Sequence, residues 1–176
     1  MVKLLVFLGN PGKLYANTRH NAGWMLADKA FPEATWQQKF HAKLSLQEGR
    51  KLLKPQTYMN ESGIAVRACC DFFQIETNEL IVVHDDLEIP YGTIKLQMGG
   101  GLQGHNGLRS IKEHLNSAEF MRLRIGLGRP QRGNIASFVL SPFSKDEIPW
   151  LPSILTKAET LLQDSFISLP VTESVF

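Results

Sequence analysis

A chain of 176 residues, 43% hydrophobic and 20% charged, has the size and composition of one globular domain with a substantial core. No stretch reaches the roughly 20 apolar residues of a membrane span, and the run Leu4 to Leu8 is too short for a secretory leader, so a cytoplasmic protein without a membrane segment is expected. The net charge of +2 excludes little, but Asp71 to Pro90 holds six acids and no Lys or Arg, whereas Lys95 to Arg132 holds seven Lys or Arg against two acids. That basic stretch reads either as solvated surface or as a face for a phosphate-bearing partner.

In chain order, Leu4-Leu5-Val6-Phe7-Leu8 is a continuous apolar run stopped by Gly9-Asn10-Pro11-Gly12, the pattern of a strand buried on both faces. A helix is predicted from Asn21 to Lys29, then a short strand from Lys51 to Lys54. A second helix spans Ser62 to Phe73, with Ile64, Ala65, Ala68, Cys69 and Phe72 at helical spacing. Leu80-Ile81-Val82-Val83 is a second buried strand, ended by His84-Asp85-Asp86. Strands are also predicted at Thr93 to Gln97 and Arg122 to Leu127, the latter placing Arg122 and Arg124 on one face. Between these two, Leu108, Ile111 and Leu115 form a helical stripe. Ser144-Lys145-Asp146-Glu147 matches a capping box ahead of a last helix with Ile148, Leu151, Leu155, Ala158 and Leu162, and residues from Pro170 onward read as a loose tail. The alternation predicts a single α/β domain over residues 1–176, a twisted, mostly parallel mixed sheet flanked by helices. In such sheets ligands sit beyond the carboxyl ends of the strands. Asn10 and Asp85 follow two buried strands and would share one crevice if those strands are neighbours.

The chemistry-bearing residues sit at chain breaks. His20, in Thr18-Arg19-His20-Asn21-Ala22-Gly23, is the best general-base candidate, because an imidazole titrates near neutrality. Asp85 would orient it and stabilise its charged form. Asn10, Asn60 and Asn106 can donate and accept hydrogen bonds without charge, which suits a neutral, backbone-like substrate. Each also has a plain structural reading, Asn10 as a turn residue and the other two as helix caps. The glycines from Gly99 to Gly104 lack both the phosphate-loop ending and the dinucleotide order, and read as a mobile loop that lets substrate approach. No metalloprotease motif, paired-cysteine motif or serine elbow occurs, although His84-Asp85-Asp86 leaves a metal-dependent hydrolase as a rival. The adjacent Cys69 and Cys70 read as buried free thiols in a reducing compartment.

Taken together the motifs resemble the bacterial-type peptidyl-tRNA hydrolases. The resemblance runs through Gly9-Asn10-Pro11-Gly12, Tyr15, Thr18 to Gly23, Thr57-Tyr58-Met59-Asn60-Glu61-Ser62-Gly63, His84-Asp85-Asp86-Leu87 and Gly104-His105-Asn106-Gly107-Leu108. It continues through Arg122 to Gly128 and Phe138-Val139-Leu140. It implies a monomeric α/β enzyme, needing no cofactor or metal, that hydrolyses the ester between a peptide and the terminal ribose of tRNA. On this resemblance His20 is the base, with Asp85 behind it and Asn10 placing the reacting carbonyl. Tyr15, Met59, Asn60 and Asn106 would bind substrate, and Lys95, Arg122 and Arg124 would contact tRNA phosphates. The chain departs from the family pattern at Gln97, where a phosphate-binding lysine is usual, at Leu102-Gln103, which replaces His-Gly, and at Asp86, where glutamate is usual. A non-catalytic RNA-binding relative is the alternative; it would need the basic face but not the trio Asn10, His20 and Asp85.

Overall fold

The computed structural model describes residues 1–164 and 168–176. Eight strands form one mixed sheet: β1 Leu4–Phe7, β2 Gln37–Lys39, β3 Ala42–Gln47, β4 Arg50–Pro55, β5 Leu80–Asp86, β6 Thr93–Met98, β7 Met121–Gly126 and β8 Val171–Ser174, in the order β2-β3-β4-β1-β5-β7-β6-β8. The central strands β4, β1, β5 and β7 run parallel, and antiparallel strands extend both edges. Helices α1 Ala22–Ala30, α2 Ser62–Phe73, α3 Asn106–Leu115, α4 Ile135–Val139 and α5 Leu151–Gln163 flank it.

The continuous apolar runs of β1 and β5 follow from burial on both faces. Leu5, Phe7, Ile81 and Val83 pack in one cluster with Leu26 of α1 and Ile154 and Ala158 of α5. Leu4, Val6, Leu8 and Val82 pack in the other with Ala65, Val66 and Cys69 of α2 and Leu108 and Ile111 of α3. Helices α2 and α3 approach closely at Gly63, whose amide donates to Ser110 Oγ at 2.9 Å; a Cβ there would lie 2.2 Å from the Ser110 carbonyl oxygen. That contact sets the two helices bearing Asn106 and, one turn earlier, Asn60 side by side. Both cysteines are buried and free, their thiols pushed up to about 12 by burial.

Several expectations are corrected. The segment after Pro170 is no loose tail: β8 pairs with β6, and the Val175 amide donates to the Gly92 carbonyl. Strands β2 and β3 were not predicted, although Ala42, Leu44 and Leu46 alternate with polar residues in β3. The Ser144–Glu147 capping bonds form in both directions, at 2.8 and 3.2 Å, but a 3-10 turn at Ile148–Trp150 with Pro149 inside it delays α5 to Leu151. Asp85 and Asp86 lie within β5, paired with Ile125 and Gly126, rather than in a turn after it.

Candidate active site

Strands β1 and β5 are parallel neighbours, so the residues beyond their carboxyl ends meet in one cleft. Its lining includes Asn10, Tyr15, His20, Met59, Asn60, Asp85 and Asn106, seven of the sequence-predicted site residues. His20 sits in the 3-10 turn Arg19–Asn21 that opens α1, facing Asp85 across the cleft floor.

The His20 ring donates from Nδ1 to Asp85, at 2.8 Å to Oδ2 and 3.0 Å to Oδ1. A third residue completes the cluster. His105 Nδ1 accepts the backbone amides of Gly107 and Leu108 at 3.1 and 3.3 Å, capping α3, so the proton of that ring resides on Nε2. From there it is donated to Asp85 Oδ1 at 3.2 Å. The N-cap of α3 is therefore His105 rather than Asn106, and Asn60 caps nothing. His105 was missed as a site residue although it stands in the Gly104-His105-Asn106-Gly107 motif, because no single sequence shows which neighbour of a helix start turns back to cap it.

These hydrogen bonds fix the electrostatics. Burial works against charge on Asp85, but the two imidazoles and their hydrogen bonds outweigh it and hold the carboxyl well below the ordinary carboxylate range. Burial likewise opposes charging of His20, and the Asp85 carboxylate overcomes it, so the His20 pKa is raised above 6.5. Histidine 84 behaves oppositely: burial, with His105 and Arg122 nearby, pushes it down to about 3, and its Nδ1 donates to the Asp85 carbonyl at 2.8 Å. The ligand-type atoms of His20, Asp85 and His105 lie within 4.8 Å of one another. Both ring nitrogens facing the carboxylate carry protons in this pattern, so the cluster suits a proton relay better than a cation.

Asn10 is oriented by three bonds. Its amide donates to Asn21 Oδ1 at 2.9 Å, its carbonyl accepts from Asn21 Nδ2 at 3.0 Å, and its Oδ1 accepts the Met59 amide at 2.7 Å. With Oδ1 occupied, Nδ2 is the group left to donate into the cleft. Asn21, fully buried, is thus a second positioning residue that the sequence reading did not single out.

The third wall comes from α4, tied to the histidine turn by Arg19. This buried arginine donates from Nη1 to the Phe138 carbonyl at 3.1 Å and from Nη2 to Glu147 at 2.5 Å, and its guanidinium lies 4.1 Å from the Phe138 ring centre. The Arg19 amide also donates to the Ser141 carbonyl at 3.0 Å.

Lys95, Arg122 and Arg124 lie outside the cleft, on the β6–β7 part of the sheet, where Lys95 is the register partner of Arg124 and Gln97 that of Arg122. Arg122 is a correction. It is 1% exposed and donates to the Gly99 and Gly101 carbonyls at 3.0 and 2.8 Å, so it anchors the glycine loop and has no surface to offer a phosphate. Arg124 pairs with Asp86 at 2.7 Å and donates to Gln97 Oε1 at 2.7 Å, while Lys95 is half-buried.

An imidazole backed by a buried carboxylate, facing uncharged amide side chains in a cleft at the strand ends of an α/β sheet, is an arrangement suited to a hydrolase. The profile of one family, peptidyl-tRNA hydrolase, matches residues 4–173, and the chain belongs to it. It is 48% identical over 172 residues to the peptidyl-tRNA hydrolase of Treponema pallidum (strain Nichols), covering 92% of this chain and 85% of that protein. It is 45% identical over 183 residues to that of Geotalea uraniireducens (strain Rf4), covering 99% and 96%. The crystal structure of peptidyl-tRNA hydrolase from Acinetobacter baumannii superimposes with a TM-score of 0.82 at 38% identity, covering 92% of this chain and 89% of that one.

Proposed function

We propose that this chain, acting as one unit over residues 1–176, hydrolyses the ester between a peptide and the terminal ribose of tRNA. The observation that carries the reading is the His20–Asp85 pair at the floor of a cleft whose other polar groups are carboxamides, on a chain of this family. His20 Nε2 takes a proton from water as the water oxygen attacks the ester carbonyl. Asp85 holds the ring in the tautomer that leaves Nε2 free and stabilises the imidazolium formed. Asn10 Nδ2 donates to the oxygen on which negative charge develops. The carbon–oxygen bond to the ribose then breaks, His20 returns its proton to the ribose oxygen, and the peptide acid gives the second proton of the water to solvent and leaves as its carboxylate. No metal or cofactor enters these steps.

Asn60 and Asn106, exposed on the cleft rim, bind the peptide backbone, with Tyr15 and Met59 packing beside it. Because the polar groups read backbone amides, a substrate with a free amine leaves them unpaired and is rejected. Lys95 and Arg124 contact tRNA phosphates, positioning the substrate without reading sequence. The protein works as a monomer in the cytoplasm, where translation supplies its substrate; no described helix is long and apolar enough to cross a membrane.

The test is release of N-acetylamino acid from N-acetylaminoacyl-tRNA, run with and without EDTA, beside unacetylated aminoacyl-tRNA and the His20→Ala protein. Cleavage that survives EDTA, spares the free amine and disappears in His20→Ala is expected. Tight tRNA binding without cleavage would shift the reading to a non-catalytic RNA-binding relative.

A further inference from the structure

The cleft is lined by His20, Asp85 and the carboxamides of Asn10, Asn60 and Asn106. Apart from Asp86, Gln103, His105 and two tyrosines the remaining lining is apolar, with Leu87 and Leu102 joined by Ile135 and Val139 of α4 and by Leu140 just after it. The cavity measures about 580 Å³, more than an ester and an attacking water need, and among the described residues no lysine or arginine lines it. Two of these side chains are conspicuous: Ile135 is 43% and Leu140 42% exposed at the cleft mouth. Apolar surface held open to water beside a reaction centre gains from contact with an apolar group.

Both apolar walls are held in place by buried arginines. On one side Arg122 binds the Gly99 and Gly101 carbonyls, and the Leu102 carbonyl accepts the His105 amide at 3.0 Å, so Leu102 is fixed from both flanks. Its side chain packs on the α2–α3 core cluster and turns a face to the cleft. On the other side Arg19 holds α4 through the Phe138 carbonyl and ties down the chain beyond it through Glu147. The walls stand ready before substrate arrives, which limits the ordering cost of binding.

Resting on the activity proposed above, we infer that Leu102, Ile135 and Leu140 form a subsite for the side chain of the ester-bearing amino acid, and that the enzyme favours large apolar residues there. An acidic side chain in that position loses water and meets no cation.

The experiment uses one tRNA body acylated with N-acetylphenylalanine or with N-acetylglutamate, and compares kcat/KM for the two esters. The wild-type protein should favour the phenylalanyl ester by about tenfold or more, and Leu102→Ser should cut that ratio by about tenfold. Ile135→Ser, at an exposed position that does not endanger folding, should lower the same ratio. A wild-type ratio near one would overturn the inference while leaving the activity standing, as would a ratio unchanged in both folded variants. Failure of the wild type to cleave either ester would overturn the activity itself.

Discussion

At the scale of single residues the decisive arrangement is one carboxylate shared by two imidazoles with separate duties. His105 uses both ring nitrogens structurally, whereas His20 uses only Nδ1 and keeps Nε2 for the cleft. In the proposed mechanism the neutral form of His20 takes the proton, so kcat/KM should fall on the acid side as pH drops through a value above 6.5, the direction in which Asp85 moves it. Asp85→Asn removes the charge that raises this pKa and leaves the burial that lowers it. The acid limb should therefore move to lower pH, and the plateau rate should fall by about 10²- to 10⁴-fold. A pH–rate profile checks both; a lower plateau with an unmoved limb would mean that Asp85 does not act through the His20 charge. The pair His20 and Asp85 was legible in the sequence as residue types at chain breaks. The tautomers were not, because they depend on what the opposite ring nitrogen of each histidine meets, and those partners lie in other elements.

At the scale of elements, the short helix α4 shows how little local pattern can decide. Five residues with an Asn134 cap make a weak helix alone, and Ala136, Ser137 and Leu140 are exposed. What holds it against the active-site turn is Arg19, more than 110 residues earlier in the chain. The Arg19–Glu147 pair is largely buried, with side chains 8% and 16% exposed, so removing one partner strands the other. Arg19→Gln should lower unfolding free energy by about 3 kcal/mol, read by urea denaturation. It should also raise KM, since α4 supplies one wall of the cleft. An unchanged KM at reduced stability would show that the tie serves the fold alone. The sequence reading placed Arg19 inside a motif yet gave it no role, since an arginine beside a histidine looks like surface until a distant carboxylate closes on it.

At the scale of the whole molecule, charge distribution matters more than net charge. Three cations of the basic stretch lie on β6 and β7, but they differ: Arg122 is turned inward to the glycine loop, Arg124 is paired with Asp86, and Lys95 stands beside it. Burial has pulled the Arg122 pKa down to about 10, a sign of how completely it is withdrawn from water. Binding of tRNA should weaken with rising salt, through release of counterions from neutralised phosphates. Lys95→Ala should reduce the slope of log affinity against log salt by about one. Filter binding or fluorescence titration over a salt series measures it, and an unchanged slope would remove Lys95 from the phosphate path.

The sequence by itself determined the strands whose burial on both faces demands unbroken apolar runs, and the helices whose stripes are long enough to read. It also determined the residue types of the site, because Gly, Pro and Asn at chain breaks announce where strands end and ligands sit. Tertiary structure alone decided the rest. The pairing of β1 with β5 brings Asn10 and Asp85 to one crevice. The β6 edge turns residues after Pro170 into a strand, since their backbone amides and carbonyls find partners there that no local pattern supplies. Which acceptors Arg122 and Arg124 meet, backbone carbonyls for the first and the Asp86 carboxylate for the second, was decided the same way, by which distant groups the fold carried within reach.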